Sequence, residues 1–107
     1  MTDNQDTEEY LLDKINYGED LNDSELTLLV TSFSYTEHTM EIEGSYETIV
    51  TIVKLSNRYF YLEWELGTDS YDRETSYTFF EQPVEVHQET RTEEHKRWVD
   101  SYGQVLL

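Results

Sequence analysis

Two neighbouring stretches near the middle of the chain have the polarity pattern of β-strands. Residues 47–55 are rich in β-branched side chains, which favour a pleated strand. In residues 58–66 apolar and polar side chains alternate from Phe60 onward, which is the period of a half-buried strand. Ser56 and Asn57 lie between the two stretches and suit a two-residue turn. The pattern therefore predicts a β-hairpin.

The turn also fixes which residues face each other across the hairpin. Leu55 should lie opposite Arg58, and Val53 opposite Phe60. Because residues paired across two strands share a face, a slip of one position would scatter the apolar side chains. In the predicted register one face collects Ile49, Val53, Phe60, Leu62 and Trp64.

The strand before the hairpin can be aligned in the same way. Gly44 suits the first central position of a II′ turn, so that Ile42 should face Glu47 and Met40 should face Ile49. Met40 and Ile42 would then join the apolar face, and His38 would point to the same side. The other face of the three strands is predicted to carry five carboxylates and two tyrosines that we consider candidate partner-binding residues: Glu37, Glu41, Glu43, Glu63, Glu65, Tyr59 and Tyr61.

Two helices are predicted before the strands. Asp6 followed by Glu9 has the spacing of a capping box, and Gly18 would end this first helix. A second helix should start at Asp23, because Leu26, Leu29, Val30 and Phe33 follow at helical spacing. Both helices can cover the apolar face of the sheet. The predicted fold class is therefore α+β, with two N-terminal helices packed on an antiparallel sheet of about four strands.

The C-terminal half gives weaker signals. Residues 76–80 and 84–87 are consistent with short strands, and Pro83 between them suits a strand start or edge. For residues 93–102 a helix capped by Thr92 and a further edge strand both remain open. The length of 107 residues indicates a single domain, residues 1–107, with residues 1–6 expected to be frayed.

Charge is the strongest feature of the composition. The chain has 24 acidic and 7 basic residues, for a formal charge of −17. Such a charge argues against direct binding to nucleic acid or to an anionic membrane, and it favours a basic protein as partner. The chain has no cysteine, no long apolar run and no catalytic or metal-binding motif. We therefore expect a cytoplasmic protein that is not an enzyme and that needs no cofactor or metal. The oligomeric state stays open.

Several short motifs resemble a family of small acidic proteins from Gram-positive phages and mobile elements. They are Arg58-Tyr59-Phe60, Trp64-Glu65, Gln82-Pro83 and Glu85-Val86. Similar small acidic proteins from such elements include anti-CRISPR inhibitors. The resemblance implies an inhibitor of a type II CRISPR RNA-guided nuclease that acts inside the host cell.

The expected function combines this resemblance with the acidic face. RNA-guided nucleases hold DNA in a positively charged channel and read a short motif with arginines. A DNA-mimicking acidic sheet could occupy that basic site and exclude DNA. Two alternatives share the same acidity: an immunity protein that neutralises a basic toxin nuclease, and a phage structural or assembly protein whose charge only aids solubility.

Overall fold

The computed structural model describes residues 3–68, 75–90 and 96–107. Two helices precede a single antiparallel sheet, which confirms the α+β class. The sheet contains six strands rather than about four. The elements are α1 (Asp3–Asn16), α2 (Asp23–Ser32), β1 (Ser34–Glu43), β2 (Tyr46–Leu55), β3 (Arg58–Thr68), β4 (Thr75–Phe79), β5 (Val84–Thr90) and β6 (Lys96–Asp100).

The first helix begins earlier than its capping pattern predicts, at Asp3 instead of after Asp6. The second begins at Asp23 as predicted, with Asn22 as its cap. The Asn22 side chain accepts a hydrogen bond from the Glu25 backbone N–H, and Glu25 accepts one from the Asn22 N–H, each at 2.9 Å. These two bonds form a capping box, which satisfies backbone donors that a helix start leaves free.

Glu25 also joins the two helices. Lys14 of α1 donates to both of its carboxylate oxygens, at 2.9 and 3.2 Å. Hydrogen bonds from the Tyr10 hydroxyl, the Asn22 backbone and Lys14 lower the pKa of Glu25 to about 2. The carboxylate therefore stays ionised although its residue is buried.

The order of strands in the sheet is β1-β2-β3-β5-β6, and β4 also pairs with β3. Two strands share one edge of β3 because that strand is eleven residues long. Its C-terminal part, Trp64–Thr68, pairs with β4, and Tyr59–Tyr61 pairs with β5. Of the segment 93–102, residues 96–100 form β6, which agrees with the edge-strand alternative. The predicted helix cap at Thr92 lies outside the described residues.

The central hairpin has the predicted register. Leu55 faces Arg58, Val53 faces Phe60 and Ile49 faces Trp64. Their apolar face forms the main core with both helices, where the fully or almost fully buried side chains include Leu11 of α1 and Leu29 of α2. One detail differs, because the residue with positive φ in the turn is Ser56 (59°) and not Asn57.

The β1–β2 pairing has the predicted register only near its turn. Gly44 has a φ of +61°, as the first position of a II′ turn requires, and Ile42 faces Glu47 as predicted. The register then shifts at Met40, so that Thr39 and not Met40 lies opposite Ile49. The prediction that Met40 and Ile42 join the core is wrong: 56% and 68% of these residues are exposed.

The other side of the sheet carries a second apolar cluster that the hydrophobic pattern did not predict. Ile52, Val86 and Trp98 are buried there, and Tyr59, Tyr61, Leu106 and Leu107 pack against them. The C-terminal residues reach this cluster by folding back along β6. Trp98 N–H donates to the Leu107 carbonyl at 3.0 Å, and Leu106 N–H donates to the Trp98 carbonyl at 2.8 Å.

Candidate protein-binding surface

Four of the five predicted carboxylates lie on one side of the sheet, away from the helices. On β1, Glu41 faces Thr48, and Glu43 faces Tyr46. On β3, Glu65 faces the same Thr48, and Glu63 faces Val50. These β2 residues alternate with Ile49 of the helix-covered core, so their partners are on the opposite side. We call Glu41, Glu43, Glu63 and Glu65 the acidic patch.

The register also sets the spacing within the acidic patch. Neighbouring members on one strand are two residues apart, or roughly 6.6 Å. Glu41 and Glu65 face each other across β2, at about twice the strand spacing, or roughly 10 Å. Glu43 and Glu63 extend the row in opposite directions. The result is a staggered line of four carboxylates on two strands, β1 and β3, with β2 between them.

Glu37 is not part of this patch, contrary to the sequence prediction. It faces Thr51 on the helix side of the sheet, because the register shift at Met40 reverses the side to which it points. The Thr51 hydroxyl lies 3.4 Å from a Glu37 carboxylate oxygen and accepts a hydrogen bond from the Trp64 ring N–H at 2.9 Å. His38, predicted to point toward the core, instead faces Val50 and is exposed on the side of the acidic patch.

The structure places Tyr59 and Tyr61 on the patch side of the sheet, but their rings are engaged in the second core. The Tyr59 ring centroid lies 5.1 Å from that of Tyr35 and 5.1 Å from that of Trp98. Burial raises the pKa of Tyr61, and the charges of Glu63 and Glu81 raise it further. Both tyrosines are half-buried, so they offer less free surface than the prediction assumed.

Two further residues of the surface escaped the sequence analysis as candidates. Tyr46 is 54% exposed beside the patch, and its ring covers Gly67, where an added methyl group would lie 3.0 Å from the ring. The strand pattern places Tyr46 on this face, but it does not show how much of the side chain is exposed. Glu81 adds negative charge near Tyr61, but it follows β4 in a loop, where no periodic pattern exists.

No basic side chain of the described ranges pairs with the acidic patch. Lys14, Arg58 and Arg97 form salt bridges elsewhere, with Glu25, Glu85 and Glu89 respectively. Lys54 lies over the rings of Tyr35 and Tyr59, 5.9 and 5.8 Å from their centroids. The charge of the acidic patch is therefore not neutralised by these side chains.

Other chemistry is sparse in the residues that the structure describes. They contain no group of three or more histidine, aspartate or glutamate side chains that could hold a metal ion. Within the same residues, no helix is long and apolar enough to cross a membrane. No protein-family model, curated protein or solved structure matches the chain.

Proposed function

We propose that this protein is a non-enzymatic DNA mimic that binds and inhibits a nucleic-acid-binding protein in the host cytoplasm. The most concrete target is a type II CRISPR RNA-guided nuclease, whose basic DNA-binding site the acidic patch would occupy. The observation that carries this proposal is the line of four carboxylates on one sheet face, where no described basic side chain pairs with them.

The spacing of the patch supports mimicry of a duplex. Each DNA strand carries a phosphate about every 3.4 Å of helix axis, and the grooves are about 6 and 12 Å wide. The patch has carboxylates roughly 6.6 Å apart along a strand and roughly 10 Å apart across β2. Both distances lie between the rise per phosphate and the width of the major groove. Lysine and arginine side chains spaced to contact phosphates can therefore contact two strands of the patch together.

The rest of the surface fits a protein partner. Tyr46 provides an exposed aromatic ring beside Glu43. The ring lies over Gly67, which restricts its rotamers, so binding costs less side-chain conformational entropy. The contact is formed by charges at the surface, of which Glu41 and Glu43 are exposed and Glu63 and Glu65 half-buried, so its affinity should fall steeply as salt is added. An inhibitor that binds equally well at low and high salt would contradict this mechanism.

The test compares two double variants with the same change of charge. Glu63→Lys/Glu65→Lys reverses two members of the acidic patch, and Glu9→Lys/Asp13→Lys reverses two exposed acids of α1. Each variant is added to a DNA-cleavage reaction of a type II RNA-guided nuclease, after circular dichroism has confirmed its fold. We expect the first variant to lose inhibition and the second to retain it.

Two results would overturn the proposal. Equal loss of inhibition in both variants would mean that net charge acts without a defined surface. If the unmodified protein neither binds nor inhibits any of several such nucleases, a type II RNA-guided nuclease is not its target. Capture of the protein by a basic toxin nuclease in a parallel experiment would instead favour the immunity-protein alternative.

A further inference from the structure

The sheet has one long open edge. The strand β1 is ten residues long, and in the described part of the chain it pairs only with β2. At the opposite end, β6 is covered by the C-terminal residues, since Val99 pairs with Val105. An uncovered edge strand exposes backbone N–H and C=O groups that can pair with another strand.

The side chains of β1 protect this edge only in part. Nine of its ten residues are exposed, and they include the large apolar side chains of Met40 and Ile42. Proteins block an edge with charged side chains, above all lysine, with proline, with β-bulges or with a short strand, and of these β1 has three glutamates and two register shifts but no lysine or proline. The β-bulge at Met40 limits the regular edge, but the exposed apolar residues beside it favour contact with another chain.

Next to the Gly44 turn the two sides of this edge differ in chemistry, whereas beyond the register shift at Met40 the helix side also carries Glu37. Glu41 and Glu43 lie on the side of the acidic patch, whereas Ile42 faces Glu47 and lies on the helix side. Along any added strand, successive side chains also point to opposite sides. A strand that alternates basic and apolar residues would therefore place each kind of side chain next to its complement along residues 41–43.

We propose that the free edge of β1 binds an extended segment of a partner protein in which lysine or arginine alternates with apolar residues. A second copy of this chain is a poor occupant. The strand β1 carries Glu37, Glu41 and Glu43 and no lysine or arginine, so two copies would place like charges against each other. The formal charge of −17 on each molecule adds to this repulsion.

The experiment uses the unmodified protein and a synthetic peptide of about ten residues, the length of β1, in which lysine alternates with valine. Amide hydrogen exchange is measured with and without the peptide. We expect exchange to slow in β1. A second peptide has the same sequence but is N-methylated at alternate positions along one edge, so it keeps its charge and loses backbone donors. It should bind about tenfold more weakly or worse.

A matched pair of variants locates the site on the protein. Ile42→Lys and Phe80→Lys each replace an apolar residue of similar exposure, 68% and 67% respectively. Only Ile42→Lys should weaken binding of the lysine-valine peptide. The two proposals can fail separately. Glu63→Lys/Glu65→Lys should abolish nuclease inhibition whether or not β1 binds a strand, and peptide binding at β1 does not require that the acidic patch has a nuclease as its target.

Three results would overturn the inference. Equal binding of the two peptides would show attraction by charge alone, without strand pairing. Slower exchange confined to β3 or β4 would place the peptide elsewhere. A dimer of the free protein that Ile42→Lys dissociates, observed by sedimentation, would identify a second copy as the occupant.

Discussion

The Trp64–Thr51 hydrogen bond offers a direct test of the sheet register. The Trp64 ring N–H donates to the Thr51 hydroxyl at 2.9 Å, and the residues are 4% and 0% exposed. Replacing Thr51 with valine keeps the shape of the side chain and removes the acceptor. The buried indole N–H then loses the acceptor that it has in the structure.

The expected cost follows from two opposing contributions. An unsatisfied buried donor costs about 1–3 kcal/mol, and the methyl group that replaces the hydroxyl returns about 0.8 kcal/mol through burial. The free energy of unfolding should therefore fall by about 1–2 kcal/mol. For a domain of about this size the melting temperature falls by roughly 4–8 °C for each kcal/mol.

A double-mutant cycle separates the hydrogen bond from changes in packing. Trp64→Phe removes the N–H, so that Thr51→Val in this background should cost clearly less, because only the 3.4 Å contact of the hydroxyl with Glu37 is then lost. Urea unfolding followed by circular dichroism gives the four free energies, and we expect a coupling energy of about 1 kcal/mol or more. Thr48→Val is the control, since Thr48 lies on the same strand but faces Glu41 and Glu65 on the other side. If Thr51→Val costs the same with tryptophan or phenylalanine at position 64, the hydrogen bond and the register behind it are refuted.

Three further predictions follow from the turn, the helix pair and the overall charge. Ser56→Gly should stabilise the protein by up to about 1 kcal/mol because Ser56 has a φ of +59°, whereas Asn57→Gly should not, and chemical unfolding of both variants tests this. The folded-state pKa of Glu25 is lowered from 4.5 to about 2, so its contribution to stability is complete above about pH 4.5 and is lost as pH falls toward 2. The stability difference between the unmodified protein and Glu25→Gln should shrink over that range, and a constant difference would contradict the assignment. Added salt should raise the melting temperature, since it screens repulsion within a chain of charge −17, and an unchanged melt would argue against it.

Local patterns were sufficient for the parts of the fold that local contacts determine. The alternation in residues 58–66 and a two-residue turn defined the central hairpin, because a wrong register would expose Phe60 and Trp64. The helical spacing of Leu26 and Leu29 likewise identified α2. Each of these elements has one buried face, and its period in the sequence shows which one.

Long-range packing determined the features that the sequence did not predict. Residues 96–100 join the sheet as β6 because β5 offers an edge and the C-terminal residues cover the outer side. Trp98 lies in the segment for which the sequence left a helix and a strand open, and its partners Tyr35 and Tyr59 are far away along the chain. The second core therefore forms from residues of distant strands, and a short segment of sequence does not show that they pack together.

The errors in the acidic surface have a single geometric origin. The register of β1 shifts at Met40 and again near Tyr35, and each shift adds one residue to that strand. One added residue reverses the side to which the following side chains point, and a second restores it. The reversal is thus confined to residues 36–39, so that Glu37 and His38 lie on the side opposite to the predicted one. Beyond the bulge, Glu41 and Glu43 keep their predicted side, so the acidic patch depends on the turn at Gly44 and not on the full length of β1.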